Sequence, residues 1–112
     1  MPQEYIKMPS QDMLNKIFRY DEGTGMLFYR HNPDFSPEWN EEYEGMNACS
    51  VWMDGEDELV MLVPYPIKKG REWTLYPAER IVVKMLWNRN PKEIDHLNDS
   101  KLDNTPHNLD FD

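Results

Sequence analysis

The sequence predicts an α+β fold in one domain, residues 1–112: an N-terminal helix, a small antiparallel sheet of three to four strands, one helix packed on that sheet, and a C-terminal loop or hairpin. Three observations predict it. Ser10 precedes a segment with a single apolar face, Asp54-Gly55 joins two apolar runs, and Pro77 opens a stretch whose apolar residues recur with helical spacing.

Residues 1–9 read as an extended arm. Ser10 can accept a free backbone N–H, so it caps a helix of about ten residues, and Met13, Leu14, Ile17 and Phe18 form its apolar face. Asp21-Glu22-Gly23-Thr24-Gly25 breaks that helix, and 26–30 reads as a short aromatic strand. The stretch through Glu44 holds two prolines and the bulky Phe35, Trp39 and Tyr43, which predicts a long loop or short irregular helix with aromatics anchoring it and carboxylates outside.

A strand over 46–53 and its partner over 58–63 flank Asp54-Gly55, where glycine accepts positive φ. Pro64 and Pro66 are expected to end the second strand or to place it at a sheet edge. Lys68-Lys69-Gly70-Arg71 reads as a basic turn and 73–76 as a third strand. Pro77 suits the first position of a helix. Ala78, Ile81, Val82, Met85 and Leu86 then make a face that would lie on the sheet, and Asn88-Arg89-Asn90-Pro91 closes it.

Composition narrows the function classes. No apolar run reaches the roughly 18 residues of a membrane span, and the opening Met-Pro-Gln-Glu lacks the regions of a signal peptide, so the expected location is cytoplasmic. Cys49 is the only cysteine, which excludes an internal disulfide and a cysteine-built zinc site; its neighbours Ala48, Val51 and Trp52 predict a buried, inert thiol. Twelve basic against 21 acidic side chains give a net charge of −9. Direct DNA binding relies on neutralising phosphates, so the expected partners are basic surfaces.

The acids are concentrated. From His31 to Ile67, 37 residues pass without Lys or Arg, while Asp34, Glu38, Glu41, Glu42, Glu44, Asp54, Glu56, Asp57 and Glu58 supply nine carboxylates. Two readings stay open: a solvated face that keeps the protein soluble, or an array in which carboxylates stand in for backbone phosphates. On the second, Glu38, Glu41, Glu42, Glu44, Asp54, Glu56, Asp57 and Glu58 would contact the partner, with Trp39, Tyr43 and Trp52 as anchors.

The C-terminal residues carry the chemistry. Asp95-His96 is followed by Asp103-Asn104 and by Asn108-Leu109, the Asn standing twelve positions after the His. In this spacing the chain resembles the HNH endonuclease family, and the helix, acidic Gly turn and aromatic strand of 14–30 resemble the opening of many phage members. The resemblance implies a hairpin around one divalent metal: Asp95 as metal ligand, His96 as the base that activates water, and Asn108 as the residue that holds the histidine's loop.

Two departures accompany it. Ala78-Glu79-Arg80 stands where the family has Ala-His-Arg, and the helix that carries the family's second metal ligand is not present before the sequence ends at Asp112. The expectation is therefore a hairpin remnant without its cutting centre and without cofactor. The protein would be an acidic phage-type inhibitor of a basic nucleic-acid-binding complex, for instance a CRISPR effector. The alternative is a nicking endonuclease using Mg2+ or Mn2+, with Asp95 and His96 as the working pair. Asp99 and Asp103 could join Asp95 around a cation but are also ordinary turn formers, His107 reads as a turn residue, and His31 receives no role. A weaker third reading has Lys68, Lys69 and Arg71 contact DNA.

Overall fold

A computed structural model describes residues 7–55 and 58–112 of the chain. The extended arm predicted at the N-terminus falls largely outside these residues, as do Glu56 and Asp57. The architecture is α+β, with helices α1 (Gln11–Ile17), α2 (Pro37–Tyr43) and α3 (Ala78–Trp87) and three antiparallel sheets. No helix among the described residues is long and apolar enough to cross a membrane.

Ser10 caps α1 as expected, its hydroxyl accepting the Met13 N–H at 3.2 Å. The helix stops sooner than predicted. Phe18 already has extended φ/ψ and begins β1 (Phe18–Asp21), which pairs with β2 (Met26–Tyr29) in a register of Phe18 opposite Tyr29 and Asp21 opposite Met26. Cross-strand pairing of two aromatic strands outweighs another helical turn. Gly25 sits in the connecting turn at φ 74°, and a Cβ there would stand 2.6 Å from the Asn104 carbonyl carbon and the Thr105 nitrogen.

β3 (Ser50–Asp54), β4 (Glu58–Ile67) and β5 (Glu72–Pro77) form the larger sheet, with β4 in the centre. The Asp54-Gly55 turn is where the sequence predicts it, but β4 is longer, for it runs through Pro64 and Pro66. The prolines are tolerated because β3 reaches only as far as Leu62, leaving that part of β4 with β5 as its one strand neighbour. There the Pro64 carbonyl accepts the buried Tyr29 hydroxyl at 2.5 Å. Pro77 is the residue before α3 rather than its first residue, and ends β5.

The core lies between the inner face of this sheet, the helices α1 and α3, and the first hairpin. Ala78, Ile81, Val82 and Met85 are buried as the spacing predicts, joined by Val83, Leu14, Phe18, Leu27 and Val63. Each large apolar side chain so buried stabilises by about 2 kcal/mol. The Gln11 amide donates to the Met85 carbonyl at 2.8 Å, fixing α1 against the C-terminal part of α3. Asn88 ends α3 in the left-handed region at φ 54°.

Candidate functional site

The chain leaves α3 towards the motif under the control of Arg80, whose guanidinium donates to the carbonyls of Pro91 (2.7 Å) and Lys92 (2.8 Å). Strands β6 (Ile94–His96) and β7 (Leu109–Phe111) then pair antiparallel, Asp95 opposite Asp110 and His96 opposite Leu109. The loop between them is closed by its own polar side chains. Asn108 donates from Nδ2 to Asn98 Oδ1 (3.0 Å) and the Asp103 carbonyl (2.8 Å), while its Oδ1 accepts the Asn98 N–H at 3.0 Å. Two of the three bonds of this buried amide therefore clasp one loop end to the other, and the third ties that end to the middle of the loop.

Asp103 continues the clasp. Its carboxylate accepts the Thr105 hydroxyl at 2.6 Å, the Thr105 N–H at 3.1 Å and the Asn98 amide at 2.9 Å. The Thr105 hydroxyl, then the Thr105 N–H, hold this carboxyl below its usual value, since both bonds favour the charged form. Asp99 is an exposed left-handed turn residue at φ 63°, and His107 is exposed in the short 3-10 turn Pro106–Asn108.

His96 is half-buried, with Nε2 2.8 Å from Asn104 Oδ1. An amide oxygen only accepts, so this contact requires a proton on Nε2, and in the neutral ring Nδ1 is then the acceptor. Asn104 is itself 0% exposed; its amide approaches the Met61 sulfur at 3.9 Å, and its carbonyl accepts the Tyr20 hydroxyl at 2.5 Å. Burial, then Glu22, pushes the Tyr20 phenol well above its usual range. The Gly25 turn and Tyr20 thus seat the N-terminal hairpin on 104–105, a long-range contact that spacing within the motif could not reveal.

Asp95 lies elsewhere. Consecutive strand residues leave on opposite faces, so the exposed Asp95 stands with Asp110 on one side of the hairpin and His96 turns to the other. Among the described residues no three His, Cys, Asp or Glu side chains are grouped as a ligand set.

The acidic segment is built around α2. Ser36 caps it, its hydroxyl accepting the Trp39 N–H at 3.1 Å, and Pro37 opens it. Asn40 faces inward and bonds both the N–H (2.7 Å) and the carbonyl (2.9 Å) of Asn32, which folds the preceding loop onto the helix. Glu38, Glu41, Glu42 and Glu44 are exposed. Glu44 pairs with His31 at 2.7 Å, whereas Glu38, Glu41 and Glu42 have no cationic partner among the described residues.

Trp39, grouped with the acids as a partner anchor, is turned into the core instead. It is 5% exposed, edge-on to Phe35 at 4.7 Å and Tyr29 at 5.8 Å, and packs so close to Gly70 that a Cβ there would meet its ring at 2.6 Å. Tyr43 is only half-buried, beside the Glu42 carboxylate, and remains available. Asp54 and Glu58 face each other across the β3–β4 pair, and Lys101 reaches Glu58 at 2.8 Å. In the basic turn, Lys68 is tied to Glu72 at 3.0 Å. Cys49 is half-buried and its sulfur accepts the Leu27 N–H at 3.4 Å; burial pushes the thiol up.

Sequence reasoning missed one feature, the exposed apolar outer face of the larger sheet. The signal was present: 59–63 is Leu-Val-Met-Leu-Val, with no polar alternation, so neither face of that strand can be polar.

Fold and sites together define a small α+β protein with an internally satisfied C-terminal hairpin and, on α2, carboxylates without cationic partners among the described residues. No protein-family model, no curated protein and no solved structure matches the chain.

Proposed function

We propose that this protein is a non-enzymatic, acidic, HNH-derived protein of phage type that works in the host cytosol by binding and inhibiting a basic nucleic-acid-handling complex, with its carboxylates standing where backbone phosphates would. The observation that carries the reading is α2: it buries Trp39 and Asn40 while presenting Glu38, Glu41 and Glu42 without a cationic partner among the described residues. Carboxylates left unneutralised on a folded surface attract a Lys/Arg-lined groove, speed encounter and lose strength with salt. The separation of Asp95 from His96 across the hairpin supports the non-enzymatic part.

The test is competition for a guide-loaded CRISPR effector, read by anisotropy of a labelled target duplex. Displacement of the duplex is expected, weakening as salt rises, and a variant with Glu38, Glu41, Glu42 and Glu44 all replaced by Gln should compete roughly 10- to 100-fold less well. No displacement at large molar excess, or equal displacement by the Gln variant, overturns the reading.

A second reading, an Mg2+- or Mn2+-dependent nickase, is favoured by the free acceptor on His96 and by the Asn108 clasp of its loop. Metal-dependent nicking of supercoiled plasmid that disappears in His96→Ala would establish it in place of the first.

A further inference from the structure

The outer face of the larger sheet is left unexplained by the acidic helix. The register places Trp52 beside Val60, Ser50 beside Leu62 and Pro77, Pro64 beside Leu75, and Pro66 beside Trp73 on this face. Met61, Val63, Tyr65 and Tyr76 occupy the other face, which is core. Trp52 is 47% exposed, Leu75 43% and Trp73 37%. Between them runs an open groove of about 450 Å³, floored by Pro64 and Leu75 and walled by Trp52, Trp73, Tyr43 and Met46. Contiguous exposed apolar surface of this kind marks a binding site on a soluble protein.

Charge selects the occupant. Glu42 lies beside Tyr43 at the groove wall. The adjoining hollow, which Trp52 and Leu75 share, is bordered by Asp54 and Glu79, and its one lysine, Lys101, is tied to Glu58. A second copy would bring the same carboxylates against these, and the net charge of −9 sets the protein against an anionic lipid surface.

We infer that this face docks a basic segment of the partner protein, with apolar side chains seated on Trp52, Trp73 and Leu75 and flanking Lys or Arg meeting Glu42, Asp54 and Glu79. The inference rests on the proposal of a basic partner and adds the apolar half of that interface. Aromatic anchors in a largely desolvated groove supply most of the affinity in protein interfaces, while the rim charges supply selection and rate. Arg or Lys against the open indole faces adds a cation–π contribution.

The probe is a synthetic peptide alternating Lys or Arg with Leu or Trp, with a counterpart carrying Glu at every basic position, titrated into 15N-labelled protein. The basic peptide is expected to move the indole N–H signals of Trp52 and Trp73, to leave that of Trp87, which packs on Phe111 outside the groove, in place, and to bind about tenfold or more weakly to the double variant Trp52→Thr/Leu75→Thr. The Glu counterpart should move neither signal. Equal shifts with the Glu peptide would reduce the face to unselective apolar adhesion, and a dimer of the free protein through Trp52 and Trp73 would make the second copy its occupant; either overturns the inference. The competition assay separates the two proposals. Loss with the Gln variant of α2 but not with the Trp52/Leu75 variant leaves the acidic reading standing and removes this docking site. Absence of competition by every form removes the acidic reading, while the peptide titration still decides the sheet face.

Discussion

The C-terminal loop and the outer face of the larger sheet treat their side chains in opposite ways. In the loop, Asn98, Asp103, Thr105 and Asn108 bond to one another or to nearby backbone and Asn104 holds the His96 ring, so its polar groups hold the loop shut. On the sheet, Trp52 and Leu75 are close to half exposed, and Trp73, packed on Tyr43 and Trp39 on one side, still shows more than a third of its surface. A group already satisfied inside the fold has little left for a ligand, whereas an exposed indole gains by being covered. A cluster of motif-like polar residues can thus be chiefly a folding device, and an apolar surface without a motif can be where binding happens.

The contrast can be broken by mutation, and the largest effect is expected where the loop meets the N-terminal hairpin. Gly25→Ala would force a left-handed alanine and drive its Cβ into the 104–105 backbone. The expected loss is about 2–5 kcal/mol, a fall in Tm of roughly 10–20 °C by thermal melting. A fall of a degree or two would mean the two parts are not seated as described.

Asn108→Ala comes next. It removes three hydrogen bonds from a buried amide and strands their partners, for about 2–3 kcal/mol in urea unfolding. Full stability in this variant would erase the distinction between a self-satisfied loop and an outward-facing sheet. The double variant Trp52→Thr/Leu75→Thr should by contrast lower the unfolding free energy by only about 1 kcal/mol, because each side chain is already close to half exposed. A large loss there would assign the face to folding rather than binding.

The smallest expected effect is a pH dependence. Asp103 is held below its ordinary value of 3.8 by Thr105, so the folded state takes up its proton less readily than the unfolded chain. Its contribution is complete above that value and fades as pH falls through the lower folded value. Melting temperatures of the wild type and Asp103→Ala should therefore differ by a constant amount down to about pH 4 and converge below it. A gap that widens on acidification would contradict the bonding described.

The elements legible in the sequence are those whose determinants are local. Ser10 announces its cap, Asp54-Gly55 its hairpin, and Ala78 to Leu86 its buried face, each within a few residues. The bonds of Asn108 are local too, its partners lying within ten residues. What escaped depends on distant partners. Phe18 leaves the helix because Tyr29 lies opposite it across a hairpin, and β4 continues through two prolines because β3 has already ended. Trp39 reads as an anchor among acids until Gly70, Phe35 and Tyr29 are seen to enclose it. The Tyr20 bond to Asn104 spans 84 positions, beyond any motif.

The prolines of β4 bear on a hazard that accompanies an uncovered apolar sheet. Such a face invites stacking into fibres, and growth proceeds strand by strand through free N–H and C=O groups at an edge. Where β4 loses its neighbour β3, Pro64 and Pro66 have no N–H to give and Tyr29 already occupies the Pro64 carbonyl. An incoming strand finds no ladder to extend at that position, so one open stretch of the sheet beside the indoles is closed to strand-by-strand growth.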